Sequence, residues 1–259
     1  MVCTAASGET LLDGNTVRDN TAVGDHGGGL YLSGTPTVVG NRVVGNRVGT
    51  SYSWGGGIIV YGDESHATLR GNSVSANKAL SAGSGVFVDD GADAMLVGEL
   101  YYANDCADDG GDGLFVDSGG KTPTVVEAVN VTIADHDCRG SALGGNGLLA
   151  ETSEPTDPPP EVTVRNSIFW NNAGSDIKSA GAVVEITFTL SAEPITGEGN
   201  LVGDPMFIDA SGGNYQLRPS SPAVDAGNPT CNYDAEPKPN GSRIDLGSTG
   251  NSAQATTKR

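Results

Sequence analysis

The chain has 259 residues with 39 glycines, and its 32 acidic residues outnumber its 14 basic residues, giving a formal net charge of −18 at pH 7. This charge argues against a nucleic acid partner, because phosphate backbones are bound through lysine and arginine. No apolar run is long enough to span a membrane, and the first residues lack the basic and apolar regions of a signal peptide.

A six-residue motif recurs along the chain. It usually begins with asparagine, usually has an apolar third residue and ends with asparagine or aspartate. Its copies occupy residues 15–20, 41–46, 72–77, 99–104, 130–135 and 166–171. Repeats of this length predict a solenoid or an array. The first full copy has no capping element ahead of it, so we expect earlier coils, a cap or a removed leader.

Each repeat also contains short alternating stretches that are interrupted by glycine, asparagine and aspartate, which is typical of strands and turns. One strand is especially regular, and its second and fourth residues are apolar in every copy. The copies of this strand are residues 29–33, 57–61, 85–89, 113–117 and 147–151. A further strand leads into each six-residue motif. The pattern therefore predicts an all-β chain that folds as a parallel β-helix of about six coils, followed by a loop-rich C-terminal cap.

In a β-helix, equivalent residues of successive coils stack at a spacing of about 4.8 Å. The last residue of the motif should then form a ladder of side-chain amides at one corner, since asparagine also tolerates the left-handed backbone of a corner. The predicted ladder residues are Asn20, Asn46, Asn77, Asn104, Asp135 and Asn171.

The middle residue of the regular strand should point outward and form an apolar stripe. The stripe residues are Tyr31, Ile59, Phe87, Phe115 and Leu149. An exposed stripe would indicate a surface that binds sugars or a partner protein, and the alternative is that a loop, a tail or a neighbouring domain covers it. A polar row runs beside it, made of Ser33, Tyr61, Asp89, Asp117 and Glu151. Its adjacent carboxylates repel one another unless a cation lies between them or their pKa values rise.

The most acidic stretch, residues 104–112, is followed one coil later by Asp135 and Asp137 on an equivalent turn. Crowded carboxylates favour Ca²⁺, and the candidate ligands are Asp105, Asp108, Asp109, Asp112, Asp135 and Asp137. The spacing matches neither an EF-hand nor a calcium-binding nonapeptide repeat, so a solvated acidic turn is the alternative. We expect no other cofactor.

Of the four cysteines, Cys106 and Cys138 should lie on neighbouring coils at nearly the same corner. The coil spacing falls within the range that a disulfide requires, so we predict a Cys106–Cys138 bond and an oxidising compartment. A metal site is a weaker alternative, because no Cys-x-x-Cys pair is present. Cys3 could pair with Cys231 or with a segment outside this chain.

Residues 152–161 contain three consecutive prolines and should leave the coil as an extended excursion, which explains the longest repeat spacing. Residues 183–190 read as a further pair of strands. We divide the chain into β-helix coils at 1–200 and a C-terminal module at 201–259.

The C-terminal module contains Asp-Pro-Met-Phe at 204–207, Leu-Arg-Pro-Ser-Ser-Pro-Ala-Val-Asp-Ala-Gly at 217–227 and Arg-Ile-Asp-Leu-Gly at 243–247. Together with the asparagine coils, these stretches resemble bacterial right-handed parallel β-helix proteins that end in a choice-of-anchor Q domain. The resemblance departs at 246–250, where Leu-Gly-Ser-Thr-Gly replaces the end of the family pattern. It implies export or surface display, and it carries no catalytic residue. We expect the module to cover the last coil and its aspartates to fix turns.

Two classes of function fit these features. The first is a secreted or cell-surface module with a structural, adhesive or carbohydrate- or partner-binding role and no assigned catalysis. The alternative is a polysaccharide lyase or glycoside hydrolase that acts through the acidic face, with or without Ca²⁺, because related enzymes share this general fold. A long loop that walls a groove over the acidic face would favour the enzyme, and only the excursion at 152–161 could provide it.

Overall fold

The computed structural model describes the backbone of residues 2–4 and the complete residues 10–24, 26–49, 53–105, 111–136 and 146–257. Within these ranges the chain is built from short β-strands, with a single 3₁₀ turn at Ala210–Gly212. No helix within the described residues is long and apolar enough to cross a membrane.

Most of the strands stack into three parallel sheets, each coil of the chain adding one strand to each sheet. The first sheet contains Val2–Thr4, Leu30–Ser33, Ile58–Tyr61, Val86–Asp89, Leu114–Asp117, Asn146–Glu151 and Ser175–Ala180. The second sheet contains Leu11–Asp13, Thr37–Val39, His66–Arg70, Asp93–Val97, Val125–Val129, Glu161–Arg165 and Val183–Thr187. The third sheet contains Thr16–Arg18, Arg42–Val44, Ser73–Ser75, Leu100–Tyr102, Thr132–Ala134, Ile168–Trp170, Leu190–Ser191 and Leu201–Val202.

This architecture is a parallel β-helix, as the repeat predicted. Two short strands, Thr21–Ala22 and Arg47–Val48, form a further parallel pair. The hairpin of Phe207–Asp209 and Asn214–Leu217 is antiparallel. The first two sheets each contain seven described strands, because Val2–Thr4 precedes the first motif and the strands after residue 174 complete another coil.

The apolar core lies inside the coils, where alternate residues of all three sheets meet. In the first sheet the inward residues are the predicted second and fourth positions, such as Leu30 and Leu32 or Val86 and Val88, and all four are fully buried. The third sheet contributes one buried apolar side chain per coil from Val17 to Phe169, and the largest of these are Tyr101 and Phe169. Period-2 alternation therefore places the core as expected, because successive strand residues point to opposite faces.

A hydrogen-bonded ladder follows the third sheet. The amide of Asn46 donates to Oδ1 of Asn77 at 3.0 Å, and Asn77 donates to Oδ1 of Asn104 at 3.0 Å. The same oxygens accept backbone N–H groups of the preceding coil, as between Asn46 and Asn77 at 2.9 Å. Each amide also donates to a strand carbonyl, so every buried polar group of these rungs is paired.

The ladder continues at His136 and Asn172, one residue later than the predicted Asp135 and Asn171. Asn104 Nδ2 lies 3.2 Å from His136 Nε2, and His136 Nδ1 lies 2.9 Å from Asn172 Oδ1. Asp135 and Asn171 instead occupy the left-handed corner, with φ values of 57° and 55°, and hydrogen-bond each other. In earlier coils this corner residue is Asp19, Gly45, Ala76 or Ala103. The sequence prediction aligned the repeats on their asparagine and aspartate residues, and it therefore placed the ladder residue of the last two copies one position too early.

His136 is uncharged in this position. It is fully buried, and burial lowers its pKa to about 4, while Asn172 opposes the shift. A neutral imidazole has one donor and one acceptor, as a ladder asparagine does along the axis, so it can replace an amide between two asparagines.

A second ladder precedes the third sheet and runs from Asn15 through Asn41 and Asn72 to Glu99. Glu99 is fully buried, and its Oε1 accepts both the backbone N–H and the amide of Asn72 at 2.9 Å. Its Oε2 lies 3.1 Å from the hydroxyl of Tyr101. Burial raises the pKa of Glu99 from 4.5 to about 8, although the three hydrogen bonds oppose this shift. The carboxyl is therefore mostly protonated at neutral pH.

The C-terminal residues lie along the outer face of the third sheet and not over the last coil as expected. Their cluster includes Phe207, Tyr215 and Leu246, packed with sheet residues such as Ile168 and Leu190. The outer positions of the sheet are mostly polar in the early coils and mostly apolar from Leu100 onward, as in Leu100, Tyr102, Ala134, Ile168 and Trp170. This lateral apolar surface determines where the module packs.

The end of the last coil is covered by the segment that precedes the module. Ile195 packs against the interior core, and Asn200 donates to the carbonyl of Ile186 at 3.0 Å. Within the module, Asp204, Asp209 and Asp245 accept backbone N–H groups, which agrees with a turn-fixing role.

Glu99→Gln should stabilise the protein at pH 8 and leave it nearly unchanged at pH 4. The pKa of Glu99 is higher in the folded state, so its contribution is fully present below pH 4.5 and is lost as pH rises toward 8. Gln keeps the acceptor without the titration, and we expect a gain of a few kcal/mol at pH 8. Urea denaturation across this pH range measures the difference.

Glu185→Gln is the matched control, since Glu185 is exposed on the second sheet. An equal gain in both variants would mean that lowering the net negative charge, and not burial of Glu99, causes the effect.

Candidate functional site

A groove with a volume of about 650 Å³ runs along the outer face of the first sheet. It crosses five successive coils, from the coil of Trp54 and Tyr61 to the strand that contains Lys178. The lining residues are Trp54, Tyr61, Ala82, Phe87, Asp89, Asp90, Phe115, Asp117, Ser118, Gly119, Glu151, Ser153, Glu154, Asp157 and Lys178. The predicted polar row and the predicted apolar stripe both contribute to it.

Two residues of the apolar stripe, Phe87 and Phe115, line the groove, and most of the stripe is buried. Ile59, Phe87, Phe115 and Leu149 are at most 2% exposed, and only Tyr31 is half-buried. The glycine corners fold back over the rings, as an added Cβ at Gly83 would lie 2.7 Å from Cβ of Phe87. Corners of the coils themselves therefore cover these stripe residues, and a binding role of the stripe stays a prediction.

Aromatic side chains close one end of the groove. The ring of Trp54 stacks on His26 with the ring centroids 4.3 Å apart and the planes within 10°. The backbone N–H of Trp54 also donates to His26 Nδ1 at 3.3 Å. Tyr61 and Phe87 lie beside this pair. Trp54 is held in place from behind and presents an aromatic face toward the groove.

Asp89 lies near the middle of the groove and is only 8% exposed. Its Oδ1 accepts the backbone N–H of Asp90 at 2.6 Å. Burial, followed by the charge of Asp117 on the next coil, raises the pKa of Asp89 to about 7. Near neutral pH this carboxyl is therefore present in both the protonated and the ionised form.

Asp117 is the next carboxyl along the groove and has a different environment. Ser153 donates its hydroxyl to both oxygens, at 2.6 and 2.8 Å, and the backbone N–H of Ser118 donates at 2.7 Å. Burial raises the pKa of Asp117, and these hydrogen bonds favour the ionised form against it. Burial thus raises the pKa of both carboxyls, but Asp117 has the larger set of hydrogen-bond donors that favour its ionised form.

The proline-rich excursion forms one wall. Ser153 joins it to the groove through Asp117, and its backbone N–H also donates to Ser118 Oγ at 3.2 Å. Glu154 and Asp157 line the groove from this wall, and a turn bond from the N–H of Asp157 to the carbonyl of Glu154 at 3.0 Å holds them. The loop that was expected to discriminate between the two function classes therefore does build a groove wall.

A second cleft of about 680 Å³ lies between the β-helix and the C-terminal module, bordered by Asn72, Ser73, Tyr215 and residues 248–254. It is slightly larger, but neither acidic nor basic side chains line it. We take the groove as the candidate site because it combines aromatic rings with perturbed carboxyls.

The predicted calcium ligands are not brought together where the structure describes them. Asp105 forms an ion pair with Lys78 at 2.7 Å, whereas Asp135 accepts the hydroxyl of Tyr215 at 2.7 Å. Asp112 is fully buried. Asp108, Asp109 and Asp137 lie outside the described residues. No group of three metal-binding side chains occurs in the described part of the chain, and a calcium site stays a prediction.

The cysteine predictions are only partly covered. Cys106 and Cys138 lie outside the described residues, so their disulfide stays a prediction. Cys231 has a free thiol, which does not agree with a bond to Cys3. Its sulfur lies 3.4 Å from Nδ2 of Asn166, where the C-terminal module meets the third sheet.

Comparison with protein families matches the model for the right-handed β-helix region to residues 2–191. The chain belongs to this family. The match covers the stacked coils, including every strand of the first two sheets. No curated protein and no solved structure matches the chain.

Several groove residues of this right-handed β-helix protein were missed in the sequence. Trp54 precedes the glycine triplet at 55–57, and this position beside a corner was a usable signal. Ser153 lies in the excursion, which was recognised as a possible wall but not as a source of hydrogen bonds. Lys178 gave no signal, because the strand Ser175–Ala180 departs from the repeat pattern.

Asp89→Asn should increase stability at pH 8 and have little effect at pH 4. The pKa of Asp89 is raised in the folded state, so its contribution is present below about pH 4 and is lost by about pH 7. Asparagine keeps the acceptor for Asp90 and removes the charge, and we expect a gain of a few kcal/mol. Urea denaturation at both pH values measures the gain, and carboxyl NMR measures the pKa directly.

Asp13→Asn provides the control, since Asp13 is exposed on the second sheet. An Asp89 carboxyl that titrates near pH 4 in the NMR experiment would contradict the described environment.

Proposed function

We propose that the protein is a secreted or cell-surface β-helix module that binds a linear carbohydrate chain in the groove of the first sheet. The observation that carries this proposal is the arrangement of aromatic rings and carboxyls along one groove. Sugar rings have apolar faces that stack on aromatic side chains, and their hydroxyls donate to carboxylates. The resemblance to exported β-helix proteins supports the location.

The dimensions of the groove support an extended ligand. Its lining crosses five coils, which at about 4.8 Å per coil corresponds to roughly 19 Å. The axial spacing between coils is therefore close to the length of one sugar unit, so successive coils can make equivalent contacts with successive sugars. Trp54 offers the stacking surface at one end, and Asp89 and Asp117 offer acceptors near the centre.

Trp54→Ala should weaken the binding of a groove-length oligosaccharide by roughly 30-fold, which corresponds to about 2 kcal/mol for the loss of a tryptophan that anchors a ligand. Trp54→Phe should restore most of the affinity because it keeps a ring on His26. The chain contains two tryptophans, Trp54 and Trp170, so a fluorescence titration in a Trp170→Phe background reports on the groove alone.

A panel of hexasaccharides with neutral, acidic and amino sugars is the appropriate first set of ligands. Binding that Trp54→Ala leaves unchanged would place the ligand elsewhere and contradict the proposal.

Glycoside hydrolysis is a second candidate, favoured by the different environments of Asp89 and Asp117. A carboxyl that is protonated near neutral pH can act as general acid, while an ionised carboxylate acts as nucleophile. Coils lie about 4.8 Å apart, close to the separation of about 5–5.5 Å between the two carboxyls of retaining enzymes. Asp89 would protonate the leaving oxygen and Asp117 would attack the anomeric carbon, and water would then release the glycosyl group with retention.

Asp117→Asn should abolish release of reducing sugar, with a loss of at least about 100-fold in kcat, and should leave oligosaccharide binding within a few-fold of the parent. A reducing-end assay and a fluorescence titration measure the two effects. Activity should fall as pH rises through about 7, where Asp89 loses its proton. Inverted product on NMR would contradict the role of Asp117 as nucleophile, and binding without turnover would leave the binding proposal alone.

A further inference from the structure

The charge of the groove limits which carbohydrate it can accept. Among the described lining residues, carboxyls greatly outnumber the single lysine, Lys178, at one end. The lining carboxyls are those of Asp89, Asp90, Asp117, Glu151, Glu154 and Asp157. Since the whole chain also has a net charge of −18, an acidic polysaccharide would be repelled both on approach and in the groove.

One of these carboxyls has an oxygen that the protein leaves open. Asp89 is more than nine-tenths buried, and its described hydrogen bond, from Asp90, uses Oδ1 only. The described residues offer no donor to Oδ2, although Asp89 lines the groove. Oδ2 is not among the buried side-chain atoms that lack a partner, so it is accessible from the groove, and a ligand donor could bind it there.

A metal ion is a poor fit for the position beside Oδ2 of Asp89. A cation such as Ca²⁺ needs several oxygen ligands around one point. The groove carboxyls are distributed over successive coils, and no group of three metal-binding side chains converges within the described residues. A ligand with several separate positive charges matches a row of carboxyls better than one ion does.

We infer that the ligand is a glycan of unsubstituted amino sugars, whose ammonium groups lie against the row from Asp89 to Asp157 while a sugar ring stacks on Trp54. This inference rests on the proposed carbohydrate-binding function and names its ligand class. An ammonium group donates up to three hydrogen bonds and makes a charge-assisted contact with each ionised carboxylate, and its positive charge would favour the ionised form of Asp89. The aromatic end distinguishes a sugar chain from a simple polyamine, which has no ring to stack.

Lys178 defines one limit of the positively charged part of the ligand. It is exposed at the end of the groove opposite Trp54 and would repel an ammonium group there. Removing this lysine and removing a rim carboxylate should therefore change affinity in opposite directions, whereas a nonspecific effect of folding would weaken both variants.

The test is calorimetry of the full chain at pH 6 with glucosamine hexamer, its N-acetylated form, galacturonate hexamer and spermine. We expect the glucosamine hexamer to bind at least about tenfold more tightly than the N-acetylated form, which is a difference of about 1.4 kcal/mol. The difference should shrink in about 0.5 M salt, since screening weakens exposed charge contacts. Glu154→Gln should weaken binding several-fold, Lys178→Gln should strengthen it, and Glu185→Gln, on the second sheet, should have no effect.

The outcomes separate the two proposals. Equal affinity for both glucosamine forms would overturn the cationic ligand and leave carbohydrate binding intact. Spermine that binds as tightly as the hexamer would overturn the assignment of a sugar chain. Galacturonate as the preferred ligand would contradict the electrostatic argument, and failure of every oligosaccharide would overturn the proposed function as well.

Discussion

The structure depends on parallel backbone pairing between coils at a fixed spacing. Once the three sheets stack, each side chain has a counterpart about 4.8 Å above and below it, so like residues must tolerate like neighbours. Asparagine is suited to this arrangement, because each amide donates to the next coil and accepts from the previous one. Asn46, Asn77 and Asn104 use every donor and acceptor in this way. The same geometry allows His136 to replace an asparagine when it stays neutral.

Stacking has the opposite effect on carboxyls. Asp89 and Asp117 lie on adjacent coils, and the charge of Asp117 adds to burial in raising the pKa of Asp89, while Ser153 donates hydrogen bonds to Asp117. The pKa of Glu99 is also raised within a ladder, where it replaces asparagine in its protonated form. A fold that repeats its side chains at short distance therefore produces perturbed pKa values, and in the groove these carboxyls are accessible to a ligand.

The two outer surfaces of the β-helix have different uses. The outer face of the third sheet becomes apolar from Leu100 onward and is covered by the C-terminal module, which also receives hydrogen bonds from Asn130. Asn130 lies one residue before the position that Asn15, Asn41, Asn72 and Glu99 occupy in earlier coils. Its amide is therefore outside that ladder and donates to the module instead. Among the described residues, glycine corners pack over the outer face of the first sheet, and the excursion at 152–160 forms a wall of the groove there. The position of the module therefore leaves the groove open.

The sequence by itself determined the stacked coils, the inward apolar residues, the asparagine ladder up to Asn104 and the acidic row with the excursion beside it. These features follow from periodicity, because side chains at equal positions in a repeat share one environment. The tertiary structure alone decided that glycine corners bury Phe87 and Phe115, that the ladder passes to His136, and that the module lies along the third sheet. These features depend on corner conformation and on contacts between residues far apart in the chain, such as Asp135 and Tyr215, which no local pattern encodes.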